Sequence, residues 1–386
     1  MTGGISAYKS VSLLRRLTEC GADVQVLMTE AAEKMVGAVT FEALSGQPVH
    51  RGLWDQPLAH IELGRDADAI VVAPATANIL AKLAHGLADD LASATLLAAS
   101  APVLVAPAMN TRMWNNPATQ ANIALVETAG VTRVGPATGP LAEGESGLGR
   151  MEEPDVILAH VGRLLEGDSI LKGKKVVVTA GPTLVPLDPV RYLGNRSSGR
   201  MGFALAASAW RRGADVVLIC GPTSVEPPAG PRVERVESSD EMLGSLRAEL
   251  DGAAILAMAA AVADFRAQQP GDQKLKKDDA TSLDLKLTLG PDLLLETMEQ
   301  RASKSVFTLG FALETEDGLA NARIKLRDKG MDMVALNLAG EPDSGFDAVT
   351  NRVTIIDRDD SVEELPLLAK YEVADRLLDR IEERLS

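Results

Sequence analysis

Three things are scarce in this 386-residue chain: uninterrupted apolar stretches, cysteine, and positive charge. The most apolar region, residues 69–108, is broken by Lys82, Asp89 and Asp90, so no segment reads as a membrane span. The two cysteines, Cys20 and Cys220, lie far apart in similar contexts, ECGADVQVLM and GADVVLICGP. That excludes a disulfide framework and a cysteine-ligated metal. It predicts two buried structural thiols in a reducing compartment, and hence a cytoplasmic location. With 39 Lys and Arg against 54 Asp and Glu, the net charge is −15 and the pI about 4.8. A nucleic acid or an anionic membrane would need a basic surface, so neither is expected as a partner. Small anionic ligands remain compatible wherever a local cradle outweighs the global field.

What is present in abundance is a recurring unit. Short apolar, β-branched runs alternate with helical patterns: ADVQVLMT, ADAIVVAPATA, APVLVAPAMN, KKVVVTAGPT, ADVVLICGPT, AAILAMAAAVADF, SVFTLGFALET and MDMVALN. Each ends in small or polar residues. This spacing predicts βαβ units, hence an α/β fold of two Rossmann-like domains with parallel-rich sheets covered on both faces. The polar, Gly-containing EGDSILKGKK follows a helical pattern, and a fresh strand then restarts the programme, dividing the chain into domains 1–170 and 171–386. In such sheets ligands sit beyond the carboxyl ends of strands, so the residues that follow each run are the ones to examine.

In the first domain those residues are TGGISAYK, MTEAA, APATAN, the DDLAS segment and PAMNTRMW, with His60 in AHIELG. TGGIS before a helical pattern is an arrangement able to hold a phosphate, or equally a simple turn. A lone histidine is ordinarily structural. Together, however, these motifs resemble the flavin-dependent cysteine decarboxylase family, in particular the amino-terminal half of bifunctional phosphopantothenoylcysteine decarboxylase/phosphopantothenate–cysteine ligases. The resemblance implies a flavodoxin-like domain with FMN held by Gly3, Gly4, Ser6, Thr29, Thr76, Asn78 and Ser93. It also implies that His60 acts at the reacting thiol and carboxylate, and that Asn110 holds the substrate carboxylate. An amide suits that task, because a cation would stabilise the departing charge too well in the ground state. The family's flap pattern, LACGxxGxGRM, carries a proton-donating cysteine; here PLAEGESGLGRM places Glu143 there. An enclosed carboxylic acid with a raised pKa could donate in its stead. A solvated flap residue is the plainer alternative.

The second domain opens with TAGPT and continues with DPVRYLGNRSSGRMG, whose Asn195, Ser197, Ser198 and Gly199 precede an apolar helical pattern as an anion site requires. A helix cap would account for the serines alone. Lys274, Lys276 and Lys277 form KLKK within the charge-balanced DQKLKKDD. This reads as a solvated loop, or as a mobile source of positive charge for leaving phosphates. With AAAVADF, GPDLL and GFALET, these motifs resemble phosphopantothenate–cysteine ligase throughout. The resemblance implies CTP as co-substrate, with Mg²⁺ screening its triphosphate; an acyl-cytidylate contacted by Asn195; Lys274 as the catalytic lysine; and a nucleotide site lined by Asp264, Pro291, Asp292, Leu293, Leu294, Phe311, Lys325 and Lys329. Lys325 and Lys329 are four apart on a predicted helix and so share a face. One departure is TLVPLDPVR, where the family commonly has TREPxDPVR: Leu184 and Val185 cannot replace the charge of its Glu.

The resemblance as a whole implies a two-step enzyme of coenzyme A synthesis. Its substrates are 4′-phosphopantothenate, cysteine and CTP, and it forms a homo-oligomer of flavin-half trimers and ligase-half dimers. An active ligase with an inactive or regulatory flavin-fold first half is the alternative, though His60 and Asn110 together argue against a mere binding module. Metal ligands are not identifiable. Family members place a lysine-rich strand ahead of the glycine loop, and Met1 stands where its last valine would be. About ten further residues ending in a buried strand are therefore expected just upstream.

Overall fold

In the computed structural model the described residues are all except 143, 270, 275–284, 315–316 and 339–347. Glu143, Lys276 and Lys277 thus lie outside them. The chain divides into two compact units, Met1–Glu166 and Gly167–Ser386.

The apolar runs of the first unit are nearly continuous because both faces of their sheet are covered. Strands β1 (Ile70–Ala75), β2 (Val103–Pro107) and β3 (Thr132–Arg133) pair in parallel in that order. Successive side chains alternate between two cores. Val72, Val103 and Val105 pack with Ile79, Leu80, Trp114, Ile123 and Val126, while Ala73, Leu104 and Ala106 pack with Leu13, Val134, Met151, Ile157 and Val161. Beyond β3 the hairpin β4 (Ala137–Pro140) and β5 (Ser146–Arg150) is antiparallel.

Two expectations need correction. ADVQVLMT forms no ladder among the described residues. It makes one isolated bridge, Leu27 with His50, through His50 N to Val26 O and Met28 N to His50 O at 2.9 Å each, and it exchanges bonds with Met1, whose ammonium donates to the Leu27 carbonyl at 2.7 Å and whose carbonyl accepts from Thr29 N at 3.2 Å. Without a strand hydrogen-bonded along its length, an extended segment is not a sheet member. Cys20 is exposed, not buried, because it lies at the C-cap of the helix Ala7–Glu19, past the face that packs inward. Cys220 is buried, which pushes its thiol pKa up.

The second unit carries β6 (Lys175–Ala180), the hairpin β7 (Leu184–Pro186) and β8 (Tyr192–Gly194), β9 (Asp215–Cys220), β10 (Arg232–Arg235) and β11 (Ala253–Met258). There follow the paired β12 (Phe265–Ala267) and β13 (Leu287–Leu289), then β14 (Phe307–Glu314) and β15 (Met333–Leu338). The chain closes with β16 (Thr350–Asn351), β17 (Thr354–Asp357), β18 (Val362–Glu364) and β19 (Leu368–Ala369), of which β16 and β19 form a two-residue clip. The main sheet runs β10-β9-β6-β11-β14-β15-β17-β18, parallel up to β15 and antiparallel beyond it. Its first six members, counted along the chain, stand in the doubly wound order 3-2-1-4-5-6, so the order of strand addition reverses between the parallel neighbours β6 and β11. In sheets of this order ligands bind beyond the carboxyl ends of that pair. No helix among the described residues is long and apolar enough to cross a membrane.

Candidate functional sites

At the carboxyl ends of the first sheet lies a cleft of about 480 Å³. Its lining includes Gly3, Gly4, Ser6, Lys9, Thr76, Asn110, Ala142 and Arg150. A Cβ on Gly3 would lie 2.5 Å from the Ala31 side chain, so only glycine lets the loop pass this close to the helix Glu30–Glu33. Thr2 Oγ1 donates to the Pro74 carbonyl at 2.7 Å, tying the loop to the end of β1. Ser6 occupies the N-cap of the helix Ala7–Glu19 with no side-chain capping bond, which leaves its hydroxyl to a ligand. Asn110 Oδ1 accepts from Arg112 N at 2.7 Å, which fixes the carboxamide at the start of the helix Thr111–Trp114.

The structure thus brings Gly3, Gly4, Ser6, Thr76 and Asn110 to one cleft. It sets four other expected residues differently. Thr29 caps the helix Glu30–Glu33, beside the loop but outside the lining. Asn78 is exposed on the helix Ala77–His85. His60 is half-buried in the helix Ala59–Asp66, also outside the lining. Ser93 is buried and committed to a capping box with Asp90: its N–H donates to Asp90 Oδ1 at 2.8 Å, and its hydroxyl accepts from Asp90 N at 3.2 Å. Ser93→Ala is therefore expected to cost about 1 kcal/mol in stability with flavin content unchanged, measured by denaturant unfolding and absorbance. Loss of flavin at unchanged stability would place the hydroxyl on the cofactor instead.

The cleft fits FMN: a glycine loop at a helix start and an N-cap hydroxyl, with Lys9 and Arg150 in its lining, both ion-paired to Glu153. Lys9 is a residue that motif reading passed over. It is only 4% exposed, and its Nζ donates to the Met151 carbonyl at 2.7 Å and to Glu153 Oε1 at 2.9 Å, anchoring the base of the β4–β5 hairpin to the glycine-loop helix.

In the second unit the reversal point of the sheet is occupied. Asn195 Nδ2 donates to the carbonyls of Ala261 and Val262, each at 3.1 Å, just past β11. Ala261 N donates to Gly181 O at 2.9 Å, and Ala263 N to Thr183 Oγ1 at 2.8 Å, so the segments that follow β6 and β11 are laced together under it. Glycines line the same place. Gly199, the N-cap of the helix Arg200–Arg211, has φ +76°, and a Cβ on Gly202 would stand 2.6 Å from Ala180 Cβ. The helix start is thereby pressed onto the end of β6, where an anion can approach its backbone.

The remaining expected residues fall into two pairs and several single positions. Lys329 Nζ meets Asp292 Oδ2 at 2.8 Å, and Lys325 Nζ meets Glu314 Oε1 at 2.6 Å. The two lysines therefore face different carboxylates. Burial works to raise the Asp292 pKa, but the Lys329 bond and the N–H groups of Leu295 and Leu294 outweigh it and hold the carboxyl below its ordinary range. Leu293 is buried in the core beside Val177 and Met242, Leu294 and Phe311 are half-buried, and Pro291 adjoins Asp292 at the cap of the helix Leu293–Glu296. Asp264 and Lys274 are exposed, and the Asp264 carbonyl accepts from Gly290 N at 2.8 Å.

The comparisons with known proteins decide the family. Residues 1–166 match the family model described as Flavoprotein, and residues 171–385 the DNA/pantothenate metabolism flavoprotein C-terminal domain. The chain is 41% identical over 390 residues to the coenzyme A biosynthesis bifunctional protein CoaBC of Vibrio cholerae, covering 100% of this chain and 97% of that one. The chain belongs to the CoaBC family. The Bacillus subtilis member is 42% identical over 389 residues, 99% of this chain and 95% of its own. A solved C-terminal domain of a CoaBC protein, 35% identical, covers 56% of this chain and 97% of that one with a TM-score of 0.48.

One further residue of this CoaBC chain escaped the sequence motifs. Asn337, at the end of β15, is 8% exposed; its Nδ2 donates to Asn351 Oδ1, while its own Oδ1 has no partner among the described residues. It is the last residue of the run MDMVALN, so the rule of examining strand ends does point to it. An unpaired buried acceptor at a sheet's carboxyl end suits a ligand N–H.

Proposed function

We propose that the second unit condenses 4′-phosphopantothenate with cysteine using CTP, and that the first decarboxylates the product to 4′-phosphopantetheine using FMN. The observation that carries the ligase reading is Asn195 at the reversal point of the sheet, bonded to Ala261 and Val262 beside the glycine-lined helix start. A carboxylate is a poor electrophile, and its nucleotidyl ester is a good one. The site's work is to hold two anions in line while pyrophosphate leaves. Asn195 orients the acyl-cytidylate, Lys274 brings positive charge to the phosphates, and Lys325 and Lys329 exchange Glu314 and Asp292 for nucleotide oxygens. Asp264, Phe311 and the Pro291–Leu294 segment shape the rest of the pocket. Among the described residues no three His, Cys, Asp or Glu side chains cluster as metal ligands. Mg²⁺ would screen the charge of the triphosphate.

In the first unit, bound FMN would take two electrons from the cysteinyl side chain and return them once carbon dioxide has left, so that the flavin is unchanged overall. Asn110 orients the substrate carboxylate, His60 handles the proton at the thiol, and Glu143 returns a proton to the product. The protein is cytoplasmic and homo-oligomeric. Ligase units pair through the exposed apolar residues Tyr192, Phe265 and Leu289, and flavin units form trimers.

The experiment is pyrophosphate release by the full chain with Mg²⁺ and CTP, followed by carbon dioxide release from the product. Release that requires both 4′-phosphopantothenate and cysteine is expected, along with a visible flavin absorbance. No CTP-dependent release would sink the ligase reading, and a colourless protein that releases no carbon dioxide would sink the decarboxylase reading.

A further inference from the structure

Arg301 belongs to none of the motifs above and is only 2% exposed. Its Nη2 donates to the carbonyls of Leu294 and Lys329, both at 2.8 Å. Its Nη1 donates to the Gly330 carbonyl and to Thr308 Oγ1, both at 2.9 Å, and its Nε to Thr297 Oγ1 at 3.3 Å. A guanidinium carries five N–H donors in a rigid fork, and these contacts use all of them without a carboxylate among the acceptors.

A buried cation whose direct hydrogen-bond partners are all neutral is costly, and an apolar side chain of similar volume would fill a core more cheaply. The acceptors explain what the charge does here. Lys329 is the C-cap of the helix Gly318–Asp328, and Gly330 follows it, so two of the carbonyls belong to a helix terminus that lacks intrahelical partners. The Leu294 carbonyl belongs to the helix Leu293–Glu296, whose N-cap is Asp292. A single nitrogen, Nη2, thus bridges the segment bearing Asp292 to the terminus bearing Lys329. On the accessible side, Lys329 Nζ and Asp292 Oδ2 face each other at 2.8 Å across the same two elements.

We infer that Arg301 is a positioning residue for nucleotide binding: from beneath the site, it sets the separation between the Pro291–Leu294 segment and Lys329. This rests on the ligase reading above. Lysine at this position would keep the charge, but it has three donors on one point and cannot bridge carbonyls that diverge as the fork's acceptors do. Thr308→Val removes a partner of the same guanidinium that belongs to β14 and not to either nucleotide-site segment, and so reports what general loosening of the network does.

The test is steady-state kinetics of the full-length protein. Arg301→Lys is expected to raise the KM for CTP by about tenfold, on the scale of one charge-assisted hydrogen bond, with kcat and the KM values for 4′-phosphopantothenate and cysteine within about twofold of the parent. Thr308→Val is expected to lower the melting temperature with the KM for CTP unchanged. An Arg301→Lys protein that is folded, by circular dichroism, with an unchanged KM for CTP overturns the inference. So does a loss spread evenly over kcat and all three KM values. If Arg301→Lys does not fold, Arg301→Gln, which keeps a planar donor group, is measured the same way; failure of both to fold assigns Arg301 to folding alone and likewise overturns it. A parent protein without CTP-dependent turnover would instead mark failure of the ligase reading.

Discussion

Asn195→Asp is expected to lower ligase kcat/KM by about 10³-fold while carbon dioxide release by the same chain stays at the parent rate. The carboxamide donates to two adjacent carbonyl oxygens at 3.1 Å, tying the segment that follows β8 to the end of β11. A carboxylate of nearly the same shape has no hydrogen to give. It would set negative oxygens against those carbonyls and against the anionic substrates that must lie beside them. Asn195→Ala removes the donors without adding the repulsion, so its loss is expected to be smaller, about 10²-fold. Because Asn195 is exposed, neither change is expected to move the melting temperature by more than a few degrees. Pyrophosphate release and carbon dioxide release, assayed on the same preparations, check this. An Asn195→Asp protein with the parent ligase rate would remove Asn195 from the site.

Gly149→Ala is expected to have a comparable effect in the other unit, lowering the decarboxylation rate by about 10²-fold or more with ligase activity retained. Gly149 has φ +149°, and a Cβ there would stand 2.2 Å from the Met109 carbonyl. The added methyl meets backbone, which cannot rotate away as a side chain could. The Met109 N–H bond to the Gly149 carbonyl, 2.9 Å long, is what fastens the β4–β5 hairpin beside Asn110. Pushing the hairpin off this contact would shift the carboxamide relative to the cleft, and displacement of about 1 Å is enough to cost 10²-fold in a step that depends on alignment. Single-turnover carbon dioxide release with flavin content measured in parallel checks it; an unaltered rate would show that the hairpin does not need this contact.

The two variants also mark where the sequence was informative. The strands that form the sheets were readable because a strand covered on both faces is apolar throughout. VVVT of β6 and VVLI of β9 are short, β-branched runs whose alternate residues lie in two different cores. The same reasoning misplaced ADVQVLMT, since an apolar run says that a segment is extended and partly buried, not that a neighbour lies alongside to pair with it. It misplaced Cys20 as well, because a residue at a helix end can lie just outside the buried face.

The site residues divide in the same way. Gly3, Gly4, Ser6, Thr76, Asn110 and Asn195 were legible because glycine loops, caps and strand ends are local features whose chemistry is written in consecutive residues. Lys9 and Arg301 were not, since what matters about each is a partner roughly 140 residues away, or a set of carbonyls from several elements, as in the contacts of Lys9 to Met151 and of Arg301 to Leu294 and Lys329. Likewise the spacing of Lys325 and Lys329 suggested one shared target, whereas the fold gives them Glu314 and Asp292 separately. By itself, then, the sequence determined the α/β class and which glycine loops and helix starts follow the strands, both of which follow from local periodicity and backbone conformation. The tertiary structure alone decided which charges neutralise one another and which buried donors brace the loops, because those depend on distances between residues that the chain order leaves far apart.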